Sequence, residues 1–356
     1  MNKPIVPINS VIQAFRKLVP EGKKIILQCS GGPDSTALLF CAHIAKLDIE
    51  VVHFLHNMRP VEIATEDKNC ILAHCAKFGV KVRVCPINCP TGASENDYRE
   101  LRNYWIEREC YRPDKYSATA HHADDQLETL IMKISRGCGL EGLTGIAEDK
   151  ILPNTGVHVV RPMLSISKED IYDICKQNNL AFVEDQTNKD THYSRNAIRQ
   201  NVIPALKVLY PRCAEHANET AKIASKAVDL VSTKVKELSI HESSYEPPVG
   251  KGRFSLIPGI QIRVEALRLS DDIVIAAWLR KTAKFVGTSN LYAADKINKQ
   301  MIDQVISAIR HHESKSFLWP TDRVISINRS NVRVYAKGIS LGFQPINESS
   351  TSKLPS

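Results

Sequence analysis

The chain of 356 residues, 43% hydrophobic and 24% charged, is longer than one hydrophobic core normally organises, so two domains are expected. No apolar run nears the roughly 18 residues that a membrane-spanning helix needs, and no membrane partner is expected. The formal charge of +8 is uneven: beyond residue 240 there are 16 Lys and Arg against 10 Asp and Glu, which puts +6 of the total in the last third. Such a bias suits a polyanionic partner and equally a solvated basic surface.

The first segment, MNKPIVPINSVIQAFRKLVPEGKK, has no acid before Glu21. It faintly resembles an organellar transit peptide, but Pro4 and Pro7 interrupt its helix and there is no signal-peptide core. A cytoplasmic setting is expected, with an organellar one left open. Apolar runs bounded by turns then alternate with helical periodicity: strand 24–29, helix 34–47, strand 49–54, helix 61–78, strand 80–85, helix 94–110, strand 115–120, helix 123–135, strand 157–160 and helix 167–178. This order predicts an α/β fold, a Rossmann-like parallel sheet covered on both faces, whose ligands bind at the carboxyl ends of the strands.

Helical periodicity continues over 193–209 and, past Pro211, over 214–238. EPPVGKG (246–252) reads as a linker, followed by helices over 271–285 and 295–310 and short strands near 316–319, 323–328 and 332–336. The expected division is an N-terminal unit 1–212, a helical linker 213–250, a smaller, mostly helical or α+β C-terminal domain 251–340, and a disordered tail 341–356. Ten cysteines lie mostly inside apolar segments and form no C-x-x-C pair. They read as buried thiols of a reducing compartment, since the spacings Cys85-x3-Cys89 and Cys70-x4-Cys75 are poor metal signals.

The stretch IILQCSGGPDST (25–36) runs a buried-looking strand straight into Ser30-Gly31-Gly32-Pro33-Asp34-Ser35. It is not a Walker A loop, because no lysine follows the second glycine and the spacing differs. Gly31 and Gly32 allow backbone N–H groups to form an anion nest, Ser30 and Ser35 add hydroxyls, and a helix starting near Asp34 points its positive end at the same spot. Asp34 would repel a bare phosphate but suits a Mg2+ ion bridging carboxylate and phosphates. The plainer alternative is that Asp34 or Ser35 merely caps the helix.

Farther on, ATAHHADDQLETLIMKISRGCGLEGLTGI (118–146) places Asp125 and Glu128 three residues apart on one helix face, with His121 at the helix entrance. That arrangement suits acid-base or cation-binding chemistry, or else Asp124 and Asp125 simply answer the helix dipole. In RPMLSISKEDIYDICKQNNLAFVEDQTNKDTHYSRNAIRQNVIPAL (161–206), Arg161 and the i, i+4 pair Arg195 and Arg199 offer guanidinium forks to phosphates, or form a solvated basic face.

The SGGPDS hexapeptide resembles the S-G-G-x-D-S pyrophosphate loop of the N-type ATP pyrophosphatases. The segments 118–146 and 161–206 resemble the T-x-H-H-x-x-D-Q-x-E-T, R-G-x-G-x-x-G-L, R-P-L-L, E-D-x-[ST]-N and Y-x-R-N-x-[IL]-R motifs of the tRNA(Ile)-lysidine synthetase family. HFLHNMRP (53–60) and ENDYRELRNYW (95–105) are similar to two more of its motifs, keeping His56, Arg59, Arg99 and Arg102 but replacing an Asn or Asp by Leu55. The resemblance spans about 24–210 and weakens afterwards.

It implies that ATP, with Mg2+, adenylates the C2 carbonyl oxygen of the wobble cytidine in a CAU-anticodon tRNA(Ile), and that free L-lysine then displaces AMP. By the resemblance, Ser30, Gly31, Gly32, Pro33, Asp34 and Ser35 bind ATP, with Asp34 on Mg2+. Asp125 and Glu128 hold the lysine ammonium or the metal, His121 relays protons, and Arg195 meets the phosphates or the adenylate. Arg59, Arg99, Arg102, Arg161 and Arg199 address tRNA, the 251–340 domain adds a second tRNA contact, and a homodimer is allowed. The rival readings are a tRNA thiolation enzyme of the same superfamily, against which the missing C-x-x-C pairs count, a glutamine-dependent synthetase, and a non-catalytic RNA-binding protein on this fold.

Overall fold

A computed structural model describes residues 6–57, 61–89, 95–109, 115–152, 155–184, 194–245, 253–254, 259–286, 297–320, 323–336 and 339–340. The chain separates into two compact units, Met1–Lys226 and Ala227–Ser356. No helix among the described residues is long and apolar enough to cross a membrane.

The first unit is built on a six-stranded sheet of β1 (Lys24–Gln28), β2 (Ile49–His56), β3 (Lys81–Ile87), β4 (Lys115–Ala118), β5 (Asp149–Ile151) and β6 (His158–Val160), in the order β3-β2-β1-β4-β6-β5. All neighbours are parallel except β5, a short antiparallel strand that the sequence reading does not include. The central strand β1, KIILQ, buries Ile25, Ile26 and Leu27 completely. Because side chains alternate across a strand, Ile25 and Leu27 enter one core layer and Ile26 the other. The first layer is covered by α1 (Val6–Leu18), α2 (Pro33–Ile44), α3 (Val61–Phe78) and α7 (Lys168–Gln177), through Phe15, Leu38, Ile71 and Ile174. The second packs against α4 (Glu95–Glu109) through Ile106.

Pro7 does not interrupt the N-terminal segment. It lies in the first turn of α1, where a missing N–H has no helical partner to lose, and Val11 and Phe15 are fully buried. Helix α5 (Ala123–Ser135) follows β4 and meets the later chain through Ala123, Leu127, Ile203, Ala214 and Ala217. The expected helix 193–209 is α8 (Ser194–Ala197), a π-helical turn over Ile198–Val202, and α9 (Ile203–Leu209), with Pro204 within α9's first turn. A short helix, α6 (Leu140–Leu143), precedes β5. The nine described cysteines are free thiols, six of them buried, as their apolar settings predict.

Across 213–250, the expected helical linker, the structure has α10 (Cys213–Ser239) and then a strand, β7 (Glu242–Tyr245), that belongs to the second unit's sheet. ESSY is short and polar, so neither apolar alternation nor β-branched content marks it. The linker motif 246–252 and the tail 341–356 lie outside the described residues. The second unit has a five-stranded antiparallel sheet in the order β10-β11-β12-β9-β7. Besides β7 it contains β9 (Gly259–Arg263), β10 (Lys315–Trp319), β11 (Arg323–Ile327) and β12 (Asn331–Ala336), and a two-residue pair, β8 (Arg253–Phe254) and β13 (Ile339–Ser340), stands apart. Helices α11 (Val264–Arg268), α12 (Asp272–Phe285) and α13 (Lys299–Arg310) supply the core around Trp278, Ile302 and Val305, which meet Ile262, Ile325 and Val334 of the sheet. The helix expected from 295 begins at Lys299 because Asn298 caps it, accepting from the Met301 N–H at 2.9 Å.

The turn from β1 to α2 demands a glycine at one of its two positions. Gly31 has φ +100°, and a Cβ there would stand 2.7 Å from the Asp67 carbonyl oxygen on α3. Gly32 has φ −77°, and its Cβ would meet nothing nearer than 3.7 Å. Gly31→Ala is therefore expected to lower stability by about 2–4 kcal/mol, from strain and overpacking together. Gly32→Ala should stay within about 1 kcal/mol of the parent. Urea unfolding of the two variants checks the contrast.

Candidate active site

The sheet order reverses direction between β1 and β4, so the loops after these strands open onto one crevice at the carboxyl edge, the usual ligand position in open α/β sheets. Both motifs of interest lie there. After β1, the Ser35 hydroxyl organises the loop by accepting from the Ser30 and Gly31 N–H groups, each at 3.2 Å, and donating to the Gly32 carbonyl at 3.1 Å. The Gly31 carbonyl accepts from the Val183 N–H at 3.0 Å. Gly32 is the N-cap of α2 and has no side-chain cap, so neither Asp34 nor Ser35 plays the simple capping part. The first N–H groups and positive end of the 12-residue helix α2 thus face the crevice. The Gly31 N–H, expected to point at an anion, is instead used by Ser35.

Asp34, in the first turn of α2, is held by the Lys168 ammonium. Lys168 arrives from the first turn of α7, whose start is fixed by a capping box: Ser167 Oγ accepts from the Asp170 N–H at 3.1 Å while Asp170 accepts from the Ser167 N–H at 3.0 Å. On the opposite wall, His121 and His122 join β4 to α5. His121 Nδ1 lies 2.9 Å from the Thr119 hydroxyl, and burial first of all pushes its pKa down to about 3. His122 is buried as well, which alone would lower it, yet Asp125, Asp124 and Asp34 outweigh burial and raise it. Its Nε2 is 3.4 Å from Asp125 and 3.8 Å from Asp34, and its Nδ1 is 3.7 Å from Asp124. Adjacent histidines are therefore shifted in opposite directions, the first towards the neutral ring and the second towards the imidazolium.

Asp125 both accepts from the His122 N–H at 3.0 Å, closing the start of α5, and takes Arg195 Nη2 at 3.0 Å and Arg199 Nη2 at 3.4 Å. Burial favours its acid form, but His122 and Arg195 overcome this and hold its pKa at about 2. Glu128, only 1% exposed, accepts from Arg195 Nε at 2.8 Å and Arg199 Nη2 at 2.9 Å. The sequence reading leaves Asp125 and Glu128 open to a ligand or metal and sends Arg195 and Arg199 to phosphates or RNA. The structure brings all four together as one charge cluster. Burial favours the acid form of Asp124, but His122, then the Lys207 ammonium and the Lys168 N–H at 2.9 Å, hold its carboxyl well below the usual range.

The remaining sequence candidates divide. Arg102 lines a cleft beside the β1 loop together with Ser30, His53, His56, Asp67 and Tyr98, and the His56 and Tyr98 rings meet edge-on at 4.7 Å. Arg161 donates from Nη1 to the carbonyls of Ala147 at 2.7 Å and Val159 at 3.3 Å, which ties it into the β5–β6 edge. Burial, then the charges of Arg102 and Arg99, bring its guanidinium down to about 10, so these three arginines are electrostatic neighbours. Arg59 lies outside the described residues. The sequence reading misses Lys168, Lys207 and His122 as members of the site. His122 stood within the quoted HH pair and Lys168 beside a readable Ser167–Asp170 cap, whereas nothing in IPALKVL singles out Lys207.

The profile of the PP-loop domain matches residues 7–206. A tRNA(Ile)-lysidine synthase of Novosphingobium aromaticivorans is 31% identical over 269 residues, covering 73% of this chain and 78% of that protein. The chain belongs to the tRNA(Ile)-lysidine synthase family of PP-loop proteins. Similar proteins of the same name occur in Bacteroides thetaiotaomicron, 33% identical over 228 residues (60% of this chain, 51% of that one), and in Bacillus subtilis, 34% identical over 200 residues (53% and 42%). The chain thus spans about half the length of these last two relatives.

Two outcomes follow from the site's charges. Ring NMR should find His121 neutral down to about pH 3 and His122 protonated above its ordinary value near 6.5. Because unfolding lets His121 bind a proton between these limits, its burial should cost stability as pH falls from about 6.5 towards 3. The His122 contribution runs the other way, being complete below about 6.5 and lost as pH rises through its raised value. Arg195→Ala, which strips one cation from Asp125 and Glu128 while Arg199 remains, should destabilise by about 2–3 kcal/mol in chemical denaturation.

Proposed function

We propose that the protein joins L-lysine to C2 of the wobble cytidine of a CAU-anticodon tRNA(Ile), converting ATP to AMP and pyrophosphate. The observation that carries this reading is the meeting of the two motif loops across the crevice, with His122 Nε2 3.8 Å from Asp34 Oδ1. It sets the positive end of α2 opposite a wall of carboxylates and imidazoles, which supports a site that takes a polyphosphate in one step and an amine in the next. The family supports the choice of substrates.

In the first step the C2 carbonyl oxygen attacks the α-phosphorus of ATP, an O–P bond forms, and the bond to the α,β-bridging oxygen breaks with its electron pair leaving on pyrophosphate. The opening N–H groups of α2 and the Lys168 ammonium stabilise that departing charge. Asp34 would hold Mg2+, which when bound neutralises phosphate charge. The Asp34 carboxylate stands in the first turn of α2, beside the helix N–H groups that would meet a phosphate, which suits a cation shared with that phosphate.

In the second step the lysine ε-amine attacks C2, a C–N bond forms, and the C2–O bond breaks as AMP leaves. The ammonium form of the amine is drawn by Asp125 and Glu128, in competition with Arg195 and Arg199. His121, neutral and hydrogen-bonded to Thr119, accepts the amine's proton once bound nucleotide charge lifts its pKa. The cytosine must leave the anticodon-loop stack to reach this crevice, and Arg99, Arg102 and Arg161 offer cations to the RNA backbone.

Purified protein with ATP, Mg2+, labelled lysine and a CAU-anticodon tRNA(Ile) transcript should place label in the RNA. Absence of lysine incorporation together with thiolation of the RNA from a sulfur donor would replace this function by the thiolation reading. Asp34→Ala should abolish tRNA-dependent pyrophosphate release. Lys168→Ala should lower kcat by about 100-fold, the scale of removing one preorganised donor.

A further inference from the structure

One buried side chain on α3 has no part in the chemistry above and yet connects to the loop where that chemistry begins. Helix α3 buries Asp67, Ile71, His74 and Cys75, the i, i+4, i+7, i+8 stripe of a covered face. Ile71 and Cys75 belong to the first core layer, whereas Asp67 and His74 are polar and sit two turns apart. At Asp67 the helix backbone lies directly against the β1–α2 loop, close enough to Gly31 to forbid a Cβ there. At His74 the contact is made by the side chain: Nε2 is 2.7 Å from the Ala181 carbonyl oxygen. A carbonyl only accepts, so Nε2 carries the proton and donates it. The ring lies against Phe78, with centroids 5.8 Å apart and planes at 18°, which fixes its direction.

Ala181 belongs to a strap, residues 180–184, that follows α7 without regular secondary structure. The strap starts at Leu180, which is buried in the core and donates its N–H to the Cys175 carbonyl at 2.9 Å. It reaches the β1–α2 loop at Val183, whose N–H donates to the Gly31 carbonyl at 3.0 Å. Between these points the Ala181 carbonyl takes the imidazole and, at 3.4 Å, the weaker Cys70 thiol donor. A buried histidine can serve a core simply by satisfying a carbonyl. Two residues farther along this strap, however, the backbone sets a peptide of the loop itself. In a trans peptide the C=O and the following N–H point opposite ways, so a Gly31 carbonyl held by Val183 turns the Gly32 N–H away from the strap. Gly32 is the N-cap of α2, where N–H groups are available to an anion, while the Gly31 N–H is already taken by Ser35. The direction of one donor at the start of α2 therefore depends on contacts that lead back to His74.

We propose that His74 is a positioning residue for the reaction: through Ala181 and Val183 it holds the Gly31–Gly32 peptide in the orientation that receives the phosphates of ATP. The proposal rests on the reading of this loop as the ATP site and adds a residue that touches neither substrate.

The full chain is titrated with ATP and Mg2+ by calorimetry, and lysine incorporation is followed in parallel. His74→Leu, which keeps apolar bulk and removes the donor, should weaken ATP binding and raise KM for ATP about tenfold, the scale of losing one buried hydrogen bond. KM for lysine and for tRNA should stay within about twofold of the parent, because uniform binding of those substrates is untouched. His74→Gln, whose amide N–H extends a donor along a similar path, should return ATP affinity to within about threefold of the parent. Amide exchange at Val183 should quicken in the Leu variant and not in the Gln variant. A Leu variant with parental KM for ATP, or one in which KM rises equally for all three substrates, overturns the proposal and leaves the function standing. A Gln variant as impaired as the Leu variant overturns it too, since the donor is then not what matters. Should His74→Leu fail to fold, Val183→Pro, which deletes the N–H at the loop end of the strap, carries the same test, and an unchanged KM for ATP in it overturns the proposal. If the parent incorporates no lysine, the functional reading falls and ATP affinity alone decides the role of His74: a loss of about tenfold in the Leu variant supports it and an unchanged affinity overturns it.

Discussion

Acidic side chains gathered where α5 leaves the sheet set the terms for the rest of the first unit. Asp124, Asp125 and Glu128 are each less than a tenth exposed, and ionised carboxylates are not retained in such surroundings without opposite charge and hydrogen bonds. The cations come from far along the chain, Arg195 and Arg199 around the π-helical turn and Lys207 on α9, while Lys168 on α7 gives Asp124 its backbone N–H. The helices after the sheet are therefore tied to its carboxyl edge by electrostatic need as well as by the apolar contact of Ala123 and Leu127 with Ile203 and Ala217. The same demand assembles the reactive crevice, because the residue that reaches Asp34 belongs to this later segment.

Charge pairing also explains how one dipeptide can hold two kinds of imidazole. His121 has a hydroxyl for a partner, and its desolvation, helped by distant arginines, outweighs the pull of Asp125. His122 has three carboxylates around it, and their sum defeats the same desolvation. Position within a single turn of backbone thus shifts one imidazole towards its neutral form and its neighbour towards its charged one.

Much of the first unit is legible in the sequence because buried parallel strands read as apolar runs and their crossover helices carry a different period. The pattern gives β1 to β4, β6 and α2 to α5 to within three residues at each end, and α3 (Val61–Phe78) and α5 (Ala123–Ser135) at their observed bounds. What escapes has little side-chain signal: β5 is three residues long and wholly exposed, β7 is ESSY, and α1 is disguised by a proline that the first helical turn tolerates. In the site, Asp34, Asp125, Glu128 and Arg195 can be picked out singly, but their pairing cannot. Asp125 and Arg195 are 70 residues apart, and helical spacing tells which residues share a face without telling what that face meets. Lys207 is the extreme case, a lysine in an ordinary amphipathic stretch whose partner is fixed only by the fold.

The two outer strands of the six-stranded sheet have a further meaning. Unpaired strand edges are templates for joining another chain, and parallel sheets are slow to form and spend time with such edges uncovered. On one side β3 interrupts its apolar pattern with Lys81, Arg83 and Pro86. On the other, β5 ends the sheet after only Asp149, Lys150 and Ile151, running against its neighbour, with Asp149 accepting at 2.7 Å from His158. Charge, proline and brevity at both margins make the sheet a closed list of strands, so that copies meeting in a crowded cell during synthesis find no continuous ribbon on which to aggregate.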